Sequence, residues 1–318
     1  MINIPYPEEI ILEEFYKNQK GEILKRIKAI KNQKKIKFNK KNYRVTKLVI
    51  EVLTWLEKYE NLKKVILAKP RILNKIIKIV ESDKNLKRAK YQKEILYKIL
   101  YRIFVDYGYE KIDKLKFIQN INLGSCPYCN RNYIFTVNKK GSIKPEIDHF
   151  YPKSLYPYLA CSYFNLIPSC PTCNGFGAKE AKDTFRSYPI SNPYNKKDIN
   201  FKFTIILNKV DFIDNVKKEG YNFDSFDINI SGNSANIELF KLKELYKQHK
   251  YIVLELLVKK AYYPNSYIKE LSKFGFSEDE IYRYLFSNYK QDKDLHKRPL
   301  SKLIKDISSE LGLVWDIF

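Results

Sequence analysis

Two cysteine motifs, Cys126-Pro127-Tyr128-Cys129 and Cys170-Pro171-Thr172-Cys173, bracket the stretch Glu146-Ile147-Asp148-His149-Phe150-Tyr151-Pro152-Lys153-Ser154. Each motif offers two thiolates from one tight turn, and together the four complete a tetrahedral zinc site of the structural kind. The 40 residues between the motifs exceed the span of a simple zinc ribbon, so the metal would clamp the two ends of an inserted structure. A thioredoxin-like redox pair would sit near a strand and a long helix, and neither motif has that setting. Cys161 is left over as a small buried residue, because a closed structural site needs no fifth ligand.

The bracketed stretch carries the chemistry. A carboxylate beside an imidazole is what metal-assisted phosphodiester hydrolysis requires: Asp148 would hold a hard cation through oxygen, while neutral His149 takes a proton from water near pH 7. Neighbours on a strand point to opposite sides, so the two serve metal and water separately only if the strand ends or twists there, which Pro152 permits. Glu146 shares a face with Asp148 by the two-residue period and reads as a surface glutamate, with an accessory acid as the alternative. Further on stand Asn165-Leu166-Ile167-Pro168, then Asn174 directly after Cys173, then Lys179.

These residues resemble the HNH, or ββα-metal, endonucleases with zinc knuckles, over about residues 124–185. The resemblance implies His149 as general base and Asp148 as a metal ligand. It implies that Asn165 orients the His-bearing strand and that Asn174 is the second ligand to Mg²⁺ or Mn²⁺, on a closing helix. Lys179 is implied as a phosphate or leaving-group contact. Asn174 stands where other members carry His, a variant the family also uses. The wording Asp148 to Ser154 and Asn165 to Cys170 is also similar to HNH effectors of bacterial antiphage systems, the Septu-type and retron-associated ones. That likeness implies an ATPase partner docked on the helical regions 1–107 and 237–318. Two other readings stay open: a non-catalytic zinc-stabilised nucleic-acid-binding module, and an RNA-directed nuclease using the same site.

The surroundings fit a polyanionic partner. Of 318 residues, 59 are Lys or Arg against 36 Asp or Glu, a net charge of +23, far beyond what solubility requires. Residues 1–120 hold 30 of those cations and 14 of the acids. The densest run includes Lys25, Arg26, Lys28, Lys34, Lys35 and Lys37, a candidate phosphate-binding surface for nucleic acid, with DNA favoured. His249 and His296 read as solvated or nucleic-acid-facing. Tyr128, Tyr133, Tyr151, Tyr156, Tyr158 and Tyr163 read as core filling for a small module, with stacking on flipped or single-stranded bases as the alternative.

Residues 8–107 are helix-patterned throughout: Leu48, Val49, Val52, Leu53 and Leu56 form one stripe, Pro70 opens another helix, and Ile95 to Phe104 a third. Phe201–Leu207 and Phe223–Ile230 read as strands that extend the module's sheet, with Ser231-Gly232-Asn233 as a turn. Ile237–Tyr262 reads as one long helix, and Ser277 with Glu280 as a capping box. The expected fold is α+β overall, mainly α, with a small central ββα-metal module stapled by a four-cysteine zinc site. Its regions are a basic helical one (1–120), the HNH module (121–190), and strands followed by helices (191–318). No apolar stretch is long enough to span a bilayer and the first ten residues carry no basic leader, so a cytoplasmic protein with no membrane association is expected.

Overall fold

The N-terminal helices arise where apolar residues recur every three or four positions. Helix α1 (Glu9–Lys31) buries Phe15, Tyr16, Ile23, Ile27 and Ile30. The computed structural model describes all residues except 39, 83–89, 138–142, 209–222, 264–269, 272 and 314–318. After α1 the chain departs from the all-helical expectation. Strands β1 (Lys35–Phe38) and β2 (Lys41–Arg44) pair antiparallel, with Lys40 in the left-handed region at φ 65°. Ile36 is buried while Lys35 and Lys37 are exposed, a two-residue alternation that the abundance of lysine hides in the sequence. Thr46 then caps α2 (Lys47–Glu57), its hydroxyl accepting from the Val49 N–H at 3.4 Å. Helices α3 (Tyr59–Ile66), α4 (Pro70–Ser82, with Pro70 at its first position) and α5 (Lys90–Tyr101) follow. A single π-helical turn (Arg102–Asp106) continues α5, and α6 (Lys114–Ile121) is capped by Asp113.

The central region holds β3 (Glu146–His149) paired antiparallel with β4 (Leu166–Ser169), Asp148 opposite Ile167 and His149 opposite Leu166. Helix α7 (Pro171–Asn174) closes the unit after a single turn, much shorter than the implied closing helix. The chain leaves it through Gly175 and Gly177, the latter at φ 83°, where an L side chain is strained. Helices α3 and α4 are fastened to this unit. Ser162 Oγ donates to the Val65 carbonyl at 2.8 Å, and Glu81 accepts from Lys93, Tyr97 and Arg186.

Strands β5 (Lys202–Leu207) and β6 (Phe226–Ser231) form their own antiparallel pair and do not extend the central sheet, correcting that expectation. The reason is visible at the exposed edge of β5. The Phe203 and Ile205 N–H groups donate to Asp306 and Glu310 at 2.9 and 3.0 Å, so a helix covers the edge that a further strand would need. Gly232 forms the expected turn, and Asn233 caps α8 (Ser234–Leu239). The long helix expected over 237–262 is three: α8, α9 (Leu242–Lys247) and α10 (Lys250–Tyr262), broken at Lys241 (φ 48°) and His249. Helix α11 (Glu278–Phe286) starts with the predicted Ser277–Glu280 capping box, and α12 (Ser301–Glu310) carries the carboxylates that hold β5. Among the described residues no helix is long and apolar enough to cross a membrane.

One buried cluster runs through all three regions, from Ile4 and Ile23 through Leu159 and Leu166 to Leu257 and Ile307. Asn130 ties the C-terminal region to the cysteine turn. Fully buried, it donates from Nδ2 to Ser125 Oγ and the Leu295 and Arg298 carbonyls, at 2.9, 3.2 and 3.2 Å. Its Oδ1 accepts from Ser301 Oγ and the Lys302 N–H, at 3.1 and 3.0 Å, thereby capping α12 from a distant part of the chain. Asn130→Ala strands several of these buried groups at once, at about 1–3 kcal/mol for each unsatisfied one. We expect chemical denaturation to show a loss of roughly 3 kcal/mol or more; a loss under about 1 kcal/mol would show that the junction tolerates the change.

Candidate active site and thiol cluster

The two cysteine turns meet. Cys126, Cys129, Cys170 and Cys173 are all buried, their sulfur atoms within 4.8 Å of one another. Cys129 and Cys170 Sγ lie 3.9 Å apart, near the edge of about 3.8 Å for a tetrahedron with roughly 2.3 Å zinc–sulfur bonds. The Arg131 and Cys170 N–H groups point at Cys129 and Cys126 Sγ, both at 3.4 Å, and Asn132 Nδ2 at Cys170 Sγ at 3.3 Å. Such donors support thiolate charge. Hydrogen bonds from its neighbours hold the Cys170 thiol far below its usual range, whereas burial pushes Cys126 well above it. Four buried sulfurs this close together form a donor set that fits zinc, which would hold all four as thiolates. Cys161 lies apart, fully buried, with burial raising its thiol.

Asp148 and His149, adjacent on β3 and both paired with β4, enter different surroundings because successive strand residues point to opposite faces. Asp148 is buried. The Tyr128 hydroxyl donates to its Oδ2 at 2.6 Å, and the Lys179 ammonium pairs with its Oδ1 at 3.3 Å. Burial raises the carboxyl above its ordinary value, with Lys179 and Tyr128 opposing that rise. Lys179, expected at a phosphate, is fully buried and donates inward, to Asp148 and to the His149 carbonyl at 3.0 Å. Among the described residues Asn174 makes no hydrogen bond to Asp148; its Nδ2 donates to Glu146 Oε2 at 2.8 Å, and its Oδ1 has no hydrogen bond. Glu146 is exposed, as expected of a surface glutamate, and its carboxylate accepts from Asn174.

The His149 ring is held from two sides. Its Nε2 lies 3.0 Å from the Ala160 carbonyl, so in the neutral ring Nε2 carries the proton and Nδ1 the lone pair. Tyr109 packs against it edge to face, centroids 4.4 Å apart. Burial pushes the imidazole down to about 3, helped by the ammonium groups of Lys153, Lys179 and Lys114, against the Ala160 hydrogen bond. Lys114 and Lys153 both lie over the Tyr109 ring, at 4.5 and 4.9 Å. Asn165 fixes the loop that follows. Its Oδ1 accepts from the Tyr151 N–H at 2.7 Å, and its Nδ2 donates to the Tyr151 and Leu159 carbonyls at 3.1 and 3.0 Å.

Several side chains here were not legible as site residues. Tyr109 and Lys114 come from outside the cysteine-bracketed stretch, and Tyr128 was read only as filler; its place between two cysteines was the available signal. Tyr128, Tyr151, Tyr156, Tyr158 and Tyr163 are buried as expected, but Tyr133 is exposed and stacks on exposed Phe135 at 4.4 Å. His249 is not simply solvated: its Nε2 accepts from Arg131 Nε at 3.0 Å, beside the thiol cluster. The His296 Nδ1 is buried, and its carbonyl accepts from Gly124 and Ser125. The basic run is not one helix face. Lys25 and Lys28 are exposed on α1, and Arg26 is taken by Glu22 at 2.8 Å and by the Tyr107 ring at 3.7 Å. Lys34, Lys35 and Lys37 lie at or in β1.

Two measurements check this geometry. Elemental analysis should find one zinc per chain, and Cys126→Ser or Cys170→Ser should lose it and unfold at lower temperature; an unchanged melting curve on zinc removal would deny the clamp its structural role. A histidine held neutral in the folded state, about 3 against 6.5 unfolded, stabilises the fold above pH 6.5, and that contribution is lost as pH falls towards 3. His149→Gln should therefore flatten the acid slope of stability between pH 6.5 and 3.

Among known proteins, a stretch of 48 residues is 44% identical to the Septu protein PtuB of Bacillus thuringiensis. The match spans 15% of this chain and 18% of that protein, less than a fifth of the relative's length. No family model and no solved structure matches the chain.

Proposed function

We propose that this chain is a metal-dependent HNH-type endonuclease acting on DNA, an effector of antiphage defence that works with an ATPase partner. The observation that carries the reading is the divergence of two neighbours at the end of β3. Asp148 turns to the Lys179 ammonium and the Tyr128 hydroxyl, and His149 turns to a carbonyl, its Nδ1 without a hydrogen bond among the described residues. The short identity with a Septu protein supports the defence setting, and the strand–strand–helix order from β3 to α7 supports the nuclease class.

Glu146, Asp148 and Asn174 offer only oxygen, the donor chemistry of Mg²⁺ or Mn²⁺, and the Lys179 ammonium already stands against the Asp148 carboxylate as a cation. Bound there, a divalent ion would supply a Lewis acid for the scissile phosphate and the leaving 3′ oxygen. The chain's own residues do the rest. Ala160 fixes the His149 tautomer, Asn165 holds the loop behind it, and His149 Nδ1 takes the proton of the attacking water. Lys114 and Lys153 stand over Tyr109, the ring packed on the imidazole, so a phosphodiester seated against them offsets the field that depresses its basicity. The non-catalytic alternative draws on one observation: both oxygens of Asp148 already have partners within the protein.

Supercoiled plasmid and total RNA, each incubated with wild type and His149→Ala in Mg²⁺, Mn²⁺ or EDTA, test the reading. We expect metal-dependent plasmid conversion that falls about 10²–10⁴-fold in the variant. Equal cleavage by the variant would remove His149 as base, cleavage of RNA alone would make the enzyme a ribonuclease, and binding without cleavage by wild type would favour the non-catalytic module.

A further inference from the structure

The β1–β2 hairpin is one-sided. Its register places Lys35 opposite Arg44 and Lys37 opposite Asn42, and pairs Ile36 with Tyr43. Directly opposed residues share a face, so Lys35, Lys37, Asn42 and Arg44 lie together, all exposed, while Ile36 is buried on the other side. Lys34 and Lys40 stand exposed at the strand ends, while Lys41, opposite Phe38, belongs to the other face. No carboxylate occurs between Glu22 and Glu51. Among the described residues none of these hairpin cations is in an ion pair, in contrast to Arg26 and Lys31 of α1, which pair with Glu22 and Glu57.

The hairpin is also braced and connected. Arg102 donates to the Lys37 carbonyl, Lys98 Nζ donates to the Tyr43 hydroxyl at 2.8 Å, and Phe38 packs edge-on against Tyr101. Phe38 and Lys98 line an open groove of about 720 Å³ that continues to Ser154 and Pro157, in the loop that leaves the His149 strand. The hairpin, through Phe38 on the face opposite Lys35 and Lys37, and the loop after β3 therefore border one groove.

We infer that this hairpin is a duplex-DNA-binding arm that enters the major groove beside the His149 site. The inference rests on the nuclease reading and adds the form of its substrate. A two-stranded ribbon fits the major groove of B-DNA, whereas the deep, narrow major groove of A-form RNA excludes side chains. Three unpaired cations on one face, with an amide between them, suit phosphates and base edges on the walls and floor of that groove.

The test is binding by the full-length wild type, without added divalent metal so that nothing is cut, to duplex DNA, duplex RNA and single-stranded DNA across a salt series. The arm variant is Lys35→Ala/Lys37→Ala/Arg44→Ala. A control of equal charge loss is Lys202→Ala/Lys243→Ala/Lys273→Ala, exposed positions in the C-terminal region. We expect duplex DNA to be preferred, the arm variant to bind it at least about tenfold more weakly, and the salt slope to fall by about 3. The control should behave as wild type. Equal loss in both variants, or none in the arm variant, overturns the arm and leaves the cleavage test to judge the site alone. Duplex RNA or single strands bound as tightly as duplex DNA overturn the groove geometry. A wild type that binds no nucleic acid overturns the inference outright.

Discussion

Four buried thiols drawn within 4.8 Å of one another are the constraint on which the site depends. They join turns 40 residues apart in sequence, and everything between them is held at both ends. Bringing such turns together costs loop-closure entropy, which a bound zinc ion offsets. The first turn does more than supply sulfur. Tyr128, between its cysteines, reaches Asp148, and Asn130, the residue after them, organises the start of the last helix. Metal site, acidic residue and C-terminal helix are thus coupled through one short turn, Cys126 to Asn130.

The Asp148–Lys179 pair is the second determinant. Two opposite charges buried together are expensive to desolvate, and removal of either would leave the other uncompensated. Here the ammonium also holds the carbonyl of His149, so one lysine sets the position of both neighbours on β3. Such a pair is weak evidence for added stability and stronger evidence for a fixed arrangement. His149, on the other side, is kept neutral by burial and by the cations around it. The two residues differ in surroundings because the pleat of β3 sends neighbouring side chains to opposite faces.

The N-terminal helices contribute more than a platform. Tyr109 packs on the His149 ring, Lys114 stands over Tyr109, and Ser162 bonds back to Val65. The candidate site is therefore built from two regions, and the hairpin beyond α1 borders, through Phe38, a groove that reaches Ser154 and Pro157 in the loop after β3.

Much of this was legible in the sequence, and for identifiable reasons. The cysteine turns, Asp148, His149 and the Ser277 cap are local spellings whose chemistry depends on residues a few positions apart, and helix stripes such as Leu53 and Ile77 follow a regular period. The hairpin at 35–44 was not legible, because lysines at alternate positions look the same as lysines on a solvated helix. Nor was the break at Lys241, where a left-handed residue interrupts an otherwise periodic segment. The partners of Lys179, Asn174 and His249 were beyond reach as well. Their types announced chemistry, but whether an ammonium meets a phosphate or a buried carboxylate depends on what other parts of the chain bring against it. Sequence alone determined which residues carry reactive groups and which segments turn or coil, since those follow from local sterics and spacing. Tertiary structure decided which of these groups face one another, because burial and long-range closure, set by the whole core, select the partner of each charge.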